Sequence, residues 1–293
     1  MAISDAIQDL KSRVSAAFSA CAEKSASMPA SQTTHTLADC IRTIKGGYTA
    51  DDIAMGSAIS GVLTGNASFI HSGAFFCCSK ITKASFPSCT FIDASAFAYC
   101  ERLTEVSFPA CVSVSSYAFS QCSSLTAASF PNCVEVRNGA FQSCKNMVSA
   151  SFPACSSIYN CGFYGCSKLR DIYFPVCQCV GGSAFSGCSS LTSVHLPLCK
   201  SVAISGFAFC YTLRTVSLPA CTYVGSFAFE RCSVLTSIYF RSSYMGQLNA
   251  SAFNKVGSDF HIYVPTSLVS YYQKLRGWSQ FSDIILPFDD WED

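Results

Sequence analysis

The sequence predicts an α/β repeat solenoid, leucine-rich-repeat-like, with about eight 22-residue rungs, a parallel sheet on one face, a helical N-terminal region and a C-terminal cap. Three periodic columns predict it. Prolines stand at Pro87, Pro109, Pro131, Pro153, Pro175, Pro197 and Pro219, each 22 residues from the next. Cysteines keep the same step in two series, Cys78, Cys100 and onward to Cys232, and Cys89, Cys111 and onward to Cys221, so fifteen of the twenty are repeat positions. Phenylalanine recurs three residues before the first series, from Phe75 to Phe229, and an aliphatic residue or Met147 three after it. A fixed period near 20 without insertions marks units that cannot bury an apolar face alone and therefore stack on one another.

Taken in chain order, residues 1–46 form the helical region. Ile3, Ile7, Leu10, Val14, Ala17 and Cys21 alternate spacings of four and three, a seam of three short heptads. That seam either assembles chains into a homo-oligomer or packs on a second helix carrying Leu37, Cys40, Ile41 and Ile44. Residues 47–64 link to the first rung and residues 65–240 hold the solenoid. Within a rung, Leu103, Val106 and Phe108 point inward and Glu105 and Ser107 outward, a short strand closed by Pro109. Phe119 and Cys122, three apart, predict one tight helical turn on the opposite wall. Residues 241–293 cap the last rung with a strand, a helix start at Pro265-Thr266-Ser267 and an apolar set of Leu268, Tyr271, Tyr272, Leu275 and Trp278.

Composition narrows the partners. Half of the 293 residues are hydrophobic, 13% are charged and the formal net charge is +1, so no global field attracts nucleic acid or an anionic membrane. Every apolar run is cut before the roughly 20 residues of a spanning helix, so no membrane insertion is expected. Asp5 and Asp9 stand where a signal peptide needs positive charge, and Lys11 and Arg13 where it needs an apolar stretch, so no secretory signal is expected.

The string A-F-x-x-C-x-x-L-T-x-V-x-F-P, met at residues 184–197 with Leu196 in place of its phenylalanine, resembles the BspA-like (Treponema-type) leucine-rich repeats of bacterial surface proteins. The resemblance implies adhesion or ligand binding and carries over no catalytic residue. Residues 262–288 look like the tail that closes such arrays. Residues 28–44, MPASQTTHTLADCIRTI, resemble a segment near the start of tail-associated proteins of gut bacteriophages and prophages. BspA-like surface proteins normally carry an export signal or wall anchor. The departure from that pattern favours a protein carried on a phage particle, with cell-surface display as the alternative.

Two cysteine ladders invite metal or disulfide chemistry, since stacked equivalents fall about 5 Å apart at Cα. In-register side chains point the same way, however, and the paired C-x-x-C spacing of thiolate metal sites is missing, so the ladders read as reduced packing columns. Cys77, Cys161 and Cys179 lie off the ladders and are the better candidates for oxidation. The histidines, His35, His71, His195 and His261, do not converge, and no phosphate-binding glycine motif, H-E-x-x-H or G-x-S-x-G occurs. No catalytic residue, metal site or cofactor is expected.

What remains for function is the outward row of the sheet. Its early positions include Lys83, Glu105 and plain Ala or Ser; its later ones present Asp171, Tyr173, His195 and Tyr239 among hydroxyls, the mixture of aromatic anchors and small polar residues that adaptable recognition surfaces use. A turn edge with Phe91, Tyr117, Tyr159 and Tyr223 is a second candidate. The sequence thus predicts a non-enzymatic recognition protein whose partner is a protein or glycan on a cell surface, a receptor-binding or accessory component of a phage or prophage tail, with a bacterial BspA-like surface adhesin or an intracellular protein-protein interaction scaffold as the alternative.

Overall fold

The computed structural model describes residues 61–246, 248–249 and 251–289. The predicted N-terminal helix, its seam of Ile3, Ile7, Leu10 and Val14, and most of the linker lie outside these residues.

Each rung places one short strand on the predicted long sheet, among them Ile81–Ser85, Glu105–Ser107, Ala127–Ser129, Ser149–Ser151, Asp171–Tyr173, Ser193–His195, Thr215–Ser217 and Ser237–Tyr239. Pairing is parallel and steps by one repeat, so that Asp171 faces Ser149 and Thr215 faces Ser193. Proline ends each strand because it has no amide to donate: Phe86 N–H still reaches Ser107 O at 3.0 Å, and Pro87 follows.

A second parallel sheet, absent from the sequence reading, runs along the neighbouring wall. It has eight strands of two residues each, from Phe69–Ile70 to Tyr223–Val224, and every strand buries one branched aliphatic side chain.

The third wall corrects the predicted helical turn. Ala118, Ser120 and Cys122 donate back within their own turn, to Ser115, Tyr117 and Phe119, while Tyr117, Phe119 and Gln121 donate to the next rung, at Asn138, Ala140 and Gln142. A helix would need all of these amides for itself; stacking claims every second one. The alternation forces two left-handed residues per rung, such as Tyr117 (φ 59°) and Gln121 (φ 61°). Thirteen of the described left-handed positions carry a side chain rather than glycine, at a cost on the order of 1 kcal/mol apiece.

The core is a set of columns. Phe97, Phe119, Phe141, Phe163, Phe185 and Phe207 stack with near-parallel rings, centroids 5.2–5.3 Å apart. A second column, Phe108, Phe130 and Phe152, meets the first edge-on or tilted at 5.6–6.0 Å. Both are arrangements that the ring quadrupole favours. The cysteine columns add a function beyond volume. Cys100, Cys122, Cys144 and Cys166 donate from Sγ to the carbonyl of Phe75, Phe97, Phe119 and Phe141 in the preceding rung at 3.0–3.1 Å. Cys89, Cys111 and Cys133 donate to a carbonyl two residues on, at 3.2–3.3 Å. A thiol is small enough for the column and still supplies a weak donor to a buried carbonyl.

The long sheet is interrupted twice, between Glu105–Ser107 and Ala127–Ser129 and between Asp171–Tyr173 and Ser193–His195. The inward side chain before each break, Val106 or Ile172, is only half-buried, whereas Ala84, Ala128, Ala150, Val194 and Val216 are buried. Val106 follows Ala84 in this column and Ile172 follows Ala150. The added bulk against a rung shaped for alanine holds the strand outward and opens the ladder on its far side.

At the C-terminal end His261–Val264 and Ile285–Pro287 extend the long sheet. Between them a short 3-10 turn, Thr266–Leu268, leads into the helix Val269–Lys274. Tyr272 and Trp278 are fully buried; Tyr272 Oη donates to Ser242 O at 2.8 Å and Trp278 Nε1 to Gly246 O at 3.0 Å. These aromatics close the columns with their polar ends satisfied.

Candidate ligand-binding face

The outward row of the long sheet sorts into three zones. At its N-terminal end Lys83 and Glu105 face each other across adjacent strands, Nζ to Oε2 2.6 Å, with both side chains more than half exposed. An exposed pair of this kind contributes little to stability, and its charges are committed to each other. At the C-terminal end Tyr239 is half-buried, stacked on Tyr263 at 4.9 Å and meeting Phe288 edge-on at 5.0 Å. Its ring is therefore part of the cap's aromatic cluster.

The middle zone differs from both. A depression of about 290 Å³ spans the strands Ser149–Ser151, Asp171–Tyr173 and Ser193–His195. It sits across the second break in the ladder, where half-buried Ile172, beside buried Ala150, forms an apolar floor. Hydroxyls of Ser149, Ser151 and Ser193 and the side chains of Arg170, Asp171, Tyr173 and His195 form its walls. Tyr173 is 57% exposed. Among the described residues no side chain of this wall hydrogen-bonds or ion-pairs with another residue, which sets the zone apart from the self-paired Lys83 and Glu105.

Of the six sequence candidates, then, Asp171, Tyr173 and His195 come together, Lys83 and Glu105 neutralise each other at one end, and Tyr239 joins the cap. Arg170 was missed. It occupies the column of Thr104, Thr126 and Thr236, whose hydroxyls bond the preceding rung's backbone at 2.9–3.2 Å. Val148 and Arg214 depart from the same column, so the departure of Arg170 alone did not mark the site. The floor, Ala150 and Ile172, belongs to core positions and carried no signal.

The turn edge is less coherent. Phe91 is half-buried and stacked on Phe69 at 5.0 Å, and Tyr117 is half-buried. Tyr159 is exposed and donates to Glu135 at 3.3 Å, and Tyr223 is exposed on a different rung.

The ladder thiols are free and buried, and burial raises the pKa of several of them: Cys89 and Cys155 are pushed up to about 11, Cys78, Cys133, Cys177 and Cys221 to about 12. A thiol that stays protonated is a poor nucleophile and a poor metal ligand. Off the ladders, Cys77 is disulfide-bonded, Cys161 is a half-exposed free thiol and Cys179 an exposed one. No group of three or more His, Cys, Asp or Glu that could hold a metal ion occurs among the described residues. No helix among them is long and apolar enough to cross a membrane.

Stacked parallel rungs of constant period define a solenoid of the leucine-rich type. The profile of the BspA type leucine rich repeat region matches residues 68–176 and 156–275, in six copies. The chain belongs to the BspA-type leucine-rich repeat family. Among solved structures, this BspA-type chain is similar to the pneumococcal vaccine antigen PcpA, at 12% identity over 80% of this chain and 78% of that one, with a TM-score of 0.50. It is also similar to a leucine-rich repeat protein of T. pallidum (22% identity, 66% and 88% covered, TM-score 0.43). A third is a leucine-rich cell surface protein of Faecalibacterium prausnitzii A2-165 (17% identity, 74% and 82% covered, TM-score 0.34). At such identities the likeness is one of fold. No curated protein matches the chain.

Proposed function

We propose that this BspA-type protein is a non-enzymatic recognition protein that reads a cell surface through the middle zone of its long sheet, as a receptor-binding or accessory component of a phage or prophage tail. The observation that carries the recognition role is the depression at the ladder break. There an exposed ring, a carboxylate, a guanidinium and an imidazole stand together without partners among the described residues. Solenoids bind through such extended open faces, and affinity concentrates in a few aromatic and arginine anchors ringed by small polar groups. The phage attachment is supported by the likeness of residues 28–44 to tail-associated proteins.

A second reading, a bacterial surface adhesin, is supported by the family itself and by the cell-surface description of the F. prausnitzii protein. Neighbouring genes separate the two: tail or baseplate genes support the first, a sortase or secretion locus the second. The recognition role is tested by binding of the fluorescently labelled full chain to a panel of gut bacterial cells. Tyr173→Ala combined with His195→Ala abolishes binding to the target cells while thermal melting stays unchanged. Undiminished binding by that variant contradicts the assignment of the face.

A further inference from the structure

We infer that the depression at the second ladder break takes a terminal, uncharged hexopyranose of a surface glycan, an inference that rests on the recognition role proposed above. Size is the first constraint. About 290 Å³ lies just under the range of small-molecule pockets, roughly 300 Å³ and upward, so the site fits one compact ring rather than a length of chain.

The second constraint is charge. Arg170 and Asp171 are consecutive and both line the depression. A phosphate, sulfate or acidic sugar drawn by the guanidinium meets the carboxylate beside it, and an ammonium meets the reverse, so a net charge of either sign is disfavoured. A neutral ligand that both donates and accepts avoids the conflict.

The third constraint is the pairing of textures. A pyranose has an apolar C–H face and a rim of hydroxyls, each able to donate and accept. Tyr173 offers an exposed ring for the C–H face, and the floor of Ala150 and Ile172 sits beside it. Asp171 accepts from adjacent hydroxyls, Arg170 donates to them, and the serine hydroxyls complete the rim. A side chain of a protein partner presents an apolar body or a polar tip, but not a closed ring of hydroxyls around an apolar face.

The test uses the full chain and a panel of methyl hexopyranosides of galactose, glucose and mannose configuration, read by saturation-transfer NMR and by titration calorimetry. At least one configuration binds in the millimolar range, with saturation strongest on the protons of one ring face. Tyr173→Ala weakens it by at least about tenfold and Asp171→Asn does likewise, both with unchanged melting. The inference is overturned if no hexoside saturates, or if one binds and neither variant weakens it. A parallel arm treats the target cells with periodate, which cleaves vicinal diols, or with protease. Loss of cell binding after periodate supports the glycan. If binding survives periodate but is lost with protease and with Tyr173→Ala, the ligand is a protein: the glycan inference fails and the recognition role stands. If cell binding is indifferent to Tyr173→Ala, both fail.

Discussion

Raising the pH unfolds this protein through its own core, because the ladders store protons that the unfolded chain gives up. Thirteen ladder thiols are pushed up by burial, first of all, with neighbouring thiols adding to the effect at several of them. Cys89 and Cys155 reach about 11 and Cys78, Cys133, Cys177 and Cys221 about 12, while Cys100, Cys111, Cys122, Cys144, Cys188, Cys199 and Cys210 are likewise displaced well upward. In the unfolded chain each ionises near the ordinary value of 9.0. Above that pH the unfolded state binds fewer protons than the folded one, so stability falls as pH rises. It is fully present below pH 9 and is lost progressively toward the folded values of 11–12. Each thiol costs under half a kcal/mol at pH 9 and more than one at pH 10, which over thirteen is on the order of 5 and then well over 10 kcal/mol. Against a global stability of about 5–15 kcal/mol, unfolding is expected between about pH 9 and pH 10. Far-UV circular dichroism and thiolate absorbance, followed together from neutral to pH 11 with reductant present, should change in one coincident transition. Thiolate absorbance that rises near pH 9 while the sheet signal persists, or a fold that survives unchanged to pH 11, refutes the reasoning.

Three other outcomes follow from the columns and turns. Phe141 is fully buried, stacked between Phe119 and Phe163 at 5.3 Å and edge-on to Phe152, so Phe141→Ala costs about 3–5 kcal/mol in urea unfolding and, in a nearest-neighbour array, splits one transition into two; a loss under about 1 kcal/mol contradicts the stacked core. Ser143 sits at φ 59° in the column that Gly165 and Gly187 continue, so Ser143→Gly raises stability by a few tenths to about 1 kcal/mol, and Gly165→Ala, which has room for its Cβ, lowers it comparably; calorimetric melting with both signs reversed rules out the left-handed turn. Gly277 lies at φ 83° with a Cβ there overlapping the Leu248 carbonyl oxygen, so Gly277→Ala loosens the cap and exposes Trp278, read as a red shift of tryptophan emission; an unshifted spectrum contradicts the cap packing.

Much of the solenoid was legible because its columns keep one chemical type at one interval: the phenylalanine, cysteine and proline series each mark a different place in the rung, and the outward row follows from strand alternation. The second sheet was not, because two residues per rung are too short to show a period of two. The turn wall misled because most of its left-handed positions are filled by residues such as Tyr99, Tyr117, Gln121 and Arg231, with glycine at Gly73, Gly139, Gly165 and Gly187, so the turn signature is sparse, while Phe119 and Cys122 keep a helical spacing. At the candidate face the sequence identified Asp171, Tyr173 and His195 as outward residues but could not assemble them into a depression. That depends on a volume mismatch between Ala150 and Ile172, both of which read as ordinary core. Nor could it separate Tyr239 from them, since the rings that claim it, Tyr263 and Phe288, arrive with the cap.

Hydrogen–deuterium exchange of the full chain, with and without intact cells of a strain it binds, bears most directly on where this solenoid reads its target. Binding should slow exchange in peptides covering residues 149–151, 171–173 and 193–195 and leave the turn wall around residues 159–165 and 203–209 unchanged. Protection on the turn wall with none on those three strands would contradict recognition through the long sheet.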